Sequence, residues 1–180
     1  MIGLARGTVK VLPYSHKWKR SYKKEEELLY SIIGQYVIDI QHVGSTSIEE
    51  LDSKPIIDIA IAVKSLDDVE KFRSLLEHVG YNLRGNAGVE GRVMFAKGNE
   101  DLRTHYLHIE IFDDVLWKNH IYFRDYLRLN TESVEEYTRL KKQLSAKYED
   151  DRNAYTSAKH EFINSILKKA REEFSKDYAI

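Results

Sequence analysis

An aspartate set inside an apolar strand constrains this chain more than any other feature. From Ile56 the sequence runs Ile56-Ile57-Asp58-Ile59-Ala60-Ile61-Ala62-Val63. Ile57, Ile59, Ile61 and Val63 alternate as the inward face of a strand, which leaves Asp58 on the opposite face with Ile56, Ala60 and Ala62. A carboxylate in such company costs roughly several kcal/mol unless it finds water, a cation or hydrogen bonds. Asp58 therefore lines an open site or is tied into a structural hydrogen bond.

The stretch before the strand supplies a complementary half. Gly44-Ser45 reads as a turn, and Thr46 and Ser47 are each followed three residues later by an acid, Glu49 and Glu50, so either register makes a capping box. A helix is expected to start there, its free N–H groups offering an anion site at Gly44, Ser45 and Thr46. The bland alternative is a turn that only caps a helix.

The 180 residues suit one domain spanning 1–180, with a sheet-containing part over 1–112 and a mainly helical part over 113–180. Twenty-eight basic against 29 acidic residues leave a net charge of −1, which predicts neither nucleic acid nor an anionic membrane as partner. The sequence has no cysteine, so disulfides, thiolate metal sites and a thiol nucleophile are excluded. Met1 to Gly7 lacks an apolar signal core and no run reaches membrane-spanning length, so a cytoplasmic protein is expected. His105 and His108 lack a third zinc ligand at a familiar spacing, and neither a nucleophile elbow nor a Walker A loop is present. A protein partner is not legible.

Along the chain, Thr8 to Leu12 suggests a short strand. Trp18, Tyr22, Leu28, Leu29, Ile32 and Ile33 follow helical spacing up to Gly34, and Val37 to Val43 reads as the strand that feeds the turn. Ser65 and Asp68 open a second helix, with Val69, Phe72, Leu75, Leu76 and Val79 as its apolar stripe and Gly80 as its terminator. Arg92 to Ala96 and His105 to Phe112 are further strands. The latter places Tyr106, His108 and Glu110 on one face, which the Asp58 face joins if the two strands are neighbours. Ala60 and Ala62 then leave room above that face. From Val115 the pattern is helical, with breaks near Asn130 and between Asp150 and Asn153. This is an α+β pattern with helices packed against one side of the sheet. Arg124 and Arg128, one turn apart, can hold phosphate or form an ion-pair network with Asp125, and the network is the preferred reading.

The run from His42 through Lys54-Pro55-Ile56-Ile57-Asp58-Ile59 resembles the signature of the GrpB family, small bacterial proteins of the nucleotidyltransferase fold. The likeness extends to Trp18, His105 to Glu110, Phe123 to Arg128, and Tyr155, Lys159, Phe162 and Ile163. The resemblance implies a mixed sheet packed with helices. It also implies a Gly-Ser turn ahead of paired acids that, with a third on a later strand, hold Mg²⁺ or Mn²⁺ and orient a nucleoside triphosphate. Gly44, Ser45 and Asp58 match that pattern, but the second acid is replaced by Ala60.

Two functions follow as expectations. In the first, a nucleotide or another phosphate-bearing small molecule binds at Gly44, Ser45 and Thr46. Asp58 and Glu110 ligate metal, with Lys54, His108, Arg124, Arg128 or Lys159 against the phosphates. In the second, Ala60 marks a non-catalytic module that keeps the fold and binds a ligand or a protein.

Overall fold

The computed structural model describes residues 2–99 and 101–174. The Ser15 side chain accepts the Lys17 N–H and opens α1, His16–Ile33, which buries Trp18, Tyr22, Leu29 and Ile33. Strands β1, Asp39–Val43, and β2, Ile57–Val63, follow. After them comes α2, Val69–His78, entered through one 3₁₀ turn that Ser65 caps. Gly80, at φ +91°, ends α2 as a left-handed terminator, as its position after Val79 predicts. Then come β3, Tyr81–Leu83, β4, Arg92–Gly98, and β5, Arg103–Ile111. Helices α3, Val115–Leu129, α4, Thr131–Lys147, α5, Arg152–Ser157, and α6, His160–Phe174, complete the described chain.

The five strands form one mixed sheet in the order β1-β2-β5-β4-β3, in which β2 and β5 are parallel and every other pair is antiparallel. The β2–β5 adjacency required by the shared-face argument is present. Asp58 pairs with Tyr106, Ala60 with His108, and Ala62 with Glu110.

On the Ile57, Ile59 and Ile61 face, α1 and α2 close a core that includes Trp18, Leu29, Phe72, Leu76, Phe95 and Leu107. Each such side chain contributes about 1.5–3 kcal/mol by leaving water. The expectation of helices on one side only is wrong. Val43, Ala60 and Ala62 are covered by Trp117 of α3, whose indole fills the room the alanines leave. Farther out, α3, α4 and α6 meet through Phe123, Leu127, Tyr137, Ile166 and Leu167, and take in Ile48 and Leu51 from the segment after the turn.

That insertion explains another correction. No helix follows Gly44; a single 3₁₀ turn, Ser45–Ser47, gives way to extended backbone at Ile48. Both capping boxes stay unformed, because burial of Ile48 and Leu51 pulls the chain straight and Glu50 adopts φ +65°. Thr8 to Leu12 is also not a strand, since Leu12 makes only an isolated bridge to Ser53. Among the described residues no helix is long and apolar enough to cross a membrane.

Candidate functional site

Gly44 has φ +67° and ψ −173°, and a Cβ there would stand 2.9 Å from Asp58 Oδ2 and 3.0 Å from Asp58 Cβ. Glycine is thus required by the close approach of Asp58 as well as by the backbone. The Asp58 side chain remains 32% exposed, and its Oδ1 lies 3.1 Å from His108 Nε2. Arg92 Nη1 lies 3.3 Å from the other ring nitrogen, Nδ1. A guanidinium can only donate, so Nδ1 carries the lone pair and Nε2–H donates to Asp58. Burial pushes the Asp58 carboxyl up, but the His108 hydrogen bond and the fields of His108, Lys54 and His120 outweigh it and hold the pKa below the ordinary value. Burial lowers the His108 pKa despite the opposing pull of Asp58, and so favours the neutral ring.

Facing Asp58 is a cleft of about 830 Å³ whose walls include Ser45, Thr46, Lys54, His108, Lys141, Arg152, Tyr155 and Lys159. The ammonium groups of Lys54 and Lys159 lie 5.1 and 4.5 Å from the centre of the Tyr155 ring, so one aromatic ring serves two cations. Lys141 is 2% exposed, donates to Ser53 Oγ at 3.2 Å and sits 4.6 Å from the centre of the Tyr137 ring. Burial, then the neighbouring Lys159 and Arg152, bring Lys54 down to about 7. Burial brings Lys159 down to about 8 even though Asp58 opposes the change. Lys141 is pushed well below its ordinary value, again mainly by burial. Crowded, poorly hydrated ammonium groups of this kind gain most from a multiply charged anion.

Of the residues singled out in the sequence, Ser45, Thr46, Lys54, Asp58, His108 and Lys159 therefore share one cleft, with Gly44 directly behind Asp58. Glu110 does not join them. It lies on the same face, but the register puts it four residues beyond the partner of Asp58, on the order of 13 Å along the strand. The His108 ring, bonded to Asp58 and with a ligand atom within 4.8 Å of one on Glu110, stands between the two carboxylates. Arg124 and Arg128 line a neighbouring cleft instead. Arg124 pairs with Asp125 and donates to Gln41 Oε1 and the His42 carbonyl, while Arg128 donates twice to the Ser47 carbonyl. The preferred ion-pair network is the one observed. Arg124→Leu strips partners from β1 and leaves Asp125 to the more distant Arg128, so a loss of about 2–3 kcal/mol is expected. Urea unfolding measures it, and a loss under about 0.5 kcal/mol, typical of a surface substitution, would contradict a structural role.

Sequence reasoning missed Lys141, Arg152, Arg92 and His120. For Lys141 a signal existed: with Val134 and Tyr137 it occupies the buried stripe of α4, where a lysine is out of place.

The profile described as GrpB protein matches residues 8–169. The chain belongs to the GrpB family. The glutamate-rich protein GrpB of Alkalihalophilus pseudofirmus is 43% identical to it over 171 residues, covering 93% of this chain and 98% of that one. The crystal structure of the conserved protein GrpB from Enterococcus faecalis superposes with a TM-score of 0.85 at 34% identity, over 92% of this chain and 99% of the other. Beyond the family, the Cid1 poly(U) polymerase with Mg 3′-dATP bound gives a TM-score of 0.56 at 12% identity, over 82% of this chain and 49% of that one. At that identity the likeness is one of fold: this GrpB-family chain has a nucleotidyltransferase-like architecture. The donor set of its cleft fits one Mg²⁺ rather than a pair. The sheet offers Asp58 Oδ2, but the next position on that face is Ala60, buried under Trp117, and its neighbour in register is His108.

Proposed function

We propose that the cleft binds the phosphate chain of a nucleoside triphosphate for transfer of its nucleotidyl group to an acceptor hydroxyl. The observation that carries this reading is the convergence of Lys54, Lys141 and Lys159 on a space that Asp58 also faces. The lysines hold the phosphates, and Arg152 adds charge at the same wall. Asp58 Oδ2 and the phosphate oxygens would hold one Mg²⁺, which when bound supplies Lewis-acid neutralisation of the reacting phosphate. In the transfer, the acceptor oxygen forms a bond to the α-phosphorus and gives up its proton to water, while the bond from that phosphorus to the α–β bridging oxygen breaks. Pyrophosphate leaves with the bonding pair, and the lysines offset its growing charge.

Thermal unfolding against the four ribonucleoside triphosphates, with and without Mg²⁺, tests the binding. A triphosphate at a hundred times its Kd is expected to stabilise the protein by about 2.7 kcal/mol. The Mg²⁺-dependent part of that gain is expected to vanish in Asp58→Asn. No stabilisation by any triphosphate overturns the proposal.

A second reading is binding without transfer, and Ala60 packed beneath Trp117 favours it, because the metal is left with one carboxylate. Incubation with α-labelled triphosphate and a metabolite extract separates the two. Label appearing on an acceptor supports transfer, and nucleotide recovered intact supports binding alone.

A further inference from the structure

On the same sheet face as Asp58, β5 and α3 bring together two imidazoles and a second carboxylate. His108 and Glu110 are two residues apart on β5 and point the same way, and His120 reaches them from α3. One ligand atom from each of the three lies within 4.8 Å of the others. Glu110 is 1% exposed. Its Oε1 lies 3.1 Å from His120 Nε2, and its Oε2 is buried with no hydrogen-bond partner. A buried carboxylate oxygen is unfavourable there unless a cation or donor completes it. The cation now nearest in register is Arg92, which pairs with Glu110 across β4 and β5 and touches His108 Nδ1.

We propose that His108, Glu110 and His120 bind a divalent transition-metal ion of the zinc class. Two imidazoles and a carboxylate are the donors that zinc and its first-row neighbours take, whereas Mg²⁺ selects oxygen. His108 offers the Nδ1 lone pair while its Nε2–H stays on Asp58. That is the carboxylate–imidazole–metal relay that fixes tautomer and ring orientation in zinc proteins. Glu110 Oε2 gains the partner it lacks. Loading replaces the His120–Glu110 hydrogen bond by metal bonds, so His120 carries its proton on Nδ1 in place of Nε2. Arg92 Nη1 withdraws from His108 and keeps the Asn86 and Ala87 carbonyls as acceptors for its other nitrogens. Three protein ligands leave a fourth position for water or an anionic oxygen, and His108 already forms part of the cleft wall. The site would give Asp58 two duties, one oxygen on His108 and the other toward the cleft.

The test uses the full chain, stripped with chelator, without nucleotide. Equilibrium dialysis against Zn²⁺ with metal analysis is expected to find one tightly held equivalent. Co²⁺ in its place is expected to give the visible bands of a low-coordinate, nitrogen-ligated ion. Glu110→Gln and His120→Ala are each expected to weaken zinc by roughly 100-fold, Asp58→Asn by roughly 10- to 100-fold, and His160→Ala, on the exposed side of α6, not at all. A large excess of Mg²⁺ leaves the zinc in place. No zinc uptake by the wild-type chain overturns the proposal whether or not any variant folds, as does equal uptake by the Glu110→Gln/His120→Ala double variant. Failure here leaves triphosphate binding untouched, and the absence of nucleotide binding leaves this site standing.

Discussion

Gly44→Ala is expected to cost about 2–4 kcal/mol of stability and to abolish ligand-induced stabilisation. Two causes add at that residue. Its backbone lies at φ +67° and ψ −173°, a region that residues with a Cβ rarely occupy, and the new methyl would meet Asp58 Oδ2 at 2.9 Å. Relief requires the Asp58 carboxylate to turn away, which breaks its hydrogen bond with His108 and changes the cleft wall. Gly85→Ala separates the two causes, since Gly85 has φ +60° and a methyl added there would meet nothing within 4 Å. That variant is expected to lose only about 1 kcal/mol, from the backbone alone. Urea unfolding of both decides the matter, and equal losses would remove the close approach of Asp58 from the explanation.

The second large effect has opposite signs in stability and in binding. Lys54→Met/Lys159→Met is expected to weaken triphosphate binding by roughly 100-fold or more, since each lysine supplies a charge-assisted contact. The same variant is expected to be more stable than the parent when unliganded, because burial, with Lys159 and Arg152 nearby, holds Lys54 at about 7, and burial, with Arg152 nearby, holds Lys159 at about 8. The sign follows from proton binding. Between those values and the ordinary lysine value of 10.5, the unfolded chain binds more protons than the folded one. The stability contributed by these groups therefore rises with pH across that window and is at its lowest below about pH 7. Anion affinity runs the other way, falling as pH climbs through about 7 to 8 and the ammonium groups discharge. Binding near pH 8 accordingly takes up protons, and calorimetry in buffers of different ionisation enthalpy measures the uptake. A pH-independent affinity in the parent, or a less stable double variant, would contradict this account.

How far the sequence carried these conclusions depended on where each residue sits. Asp58 and His108 lie on strands, where alternation assigns a face, and the parallel pairing of β2 with β5 turned that assignment into a shared surface. The register along the pair was not legible, and it is the register that separates Glu110 from Asp58. Arg124 and Arg128 stood out as adjacent charges, but spacing alone does not say that carbonyls of β1 and the turn occupy them. The helix expected after Gly44 failed for a tertiary reason: the cap residues are suitable, yet Ile48 and Leu51 are worth more in the core between α3, α4 and α6. His120 and Arg92 carried no local signal, because their partners come from elements remote in sequence.

The parallel pairing of β2 and β5 also governs when the cleft comes into being. Joining Asp58 to the strand that carries Tyr106 and His108 closes a long loop, an entropic cost that the Asp58–His108 contact must meet. Lys141, on α4, and Lys159, in the turn between α5 and α6, depend on the helical layer that packs on Ile48 and Leu51. A partly folded chain of this protein holds the right side chains but no anion site. Phosphate recognition is thus a property of the finished topology, and a bound polyanion would brace elements that lie far apart in the chain.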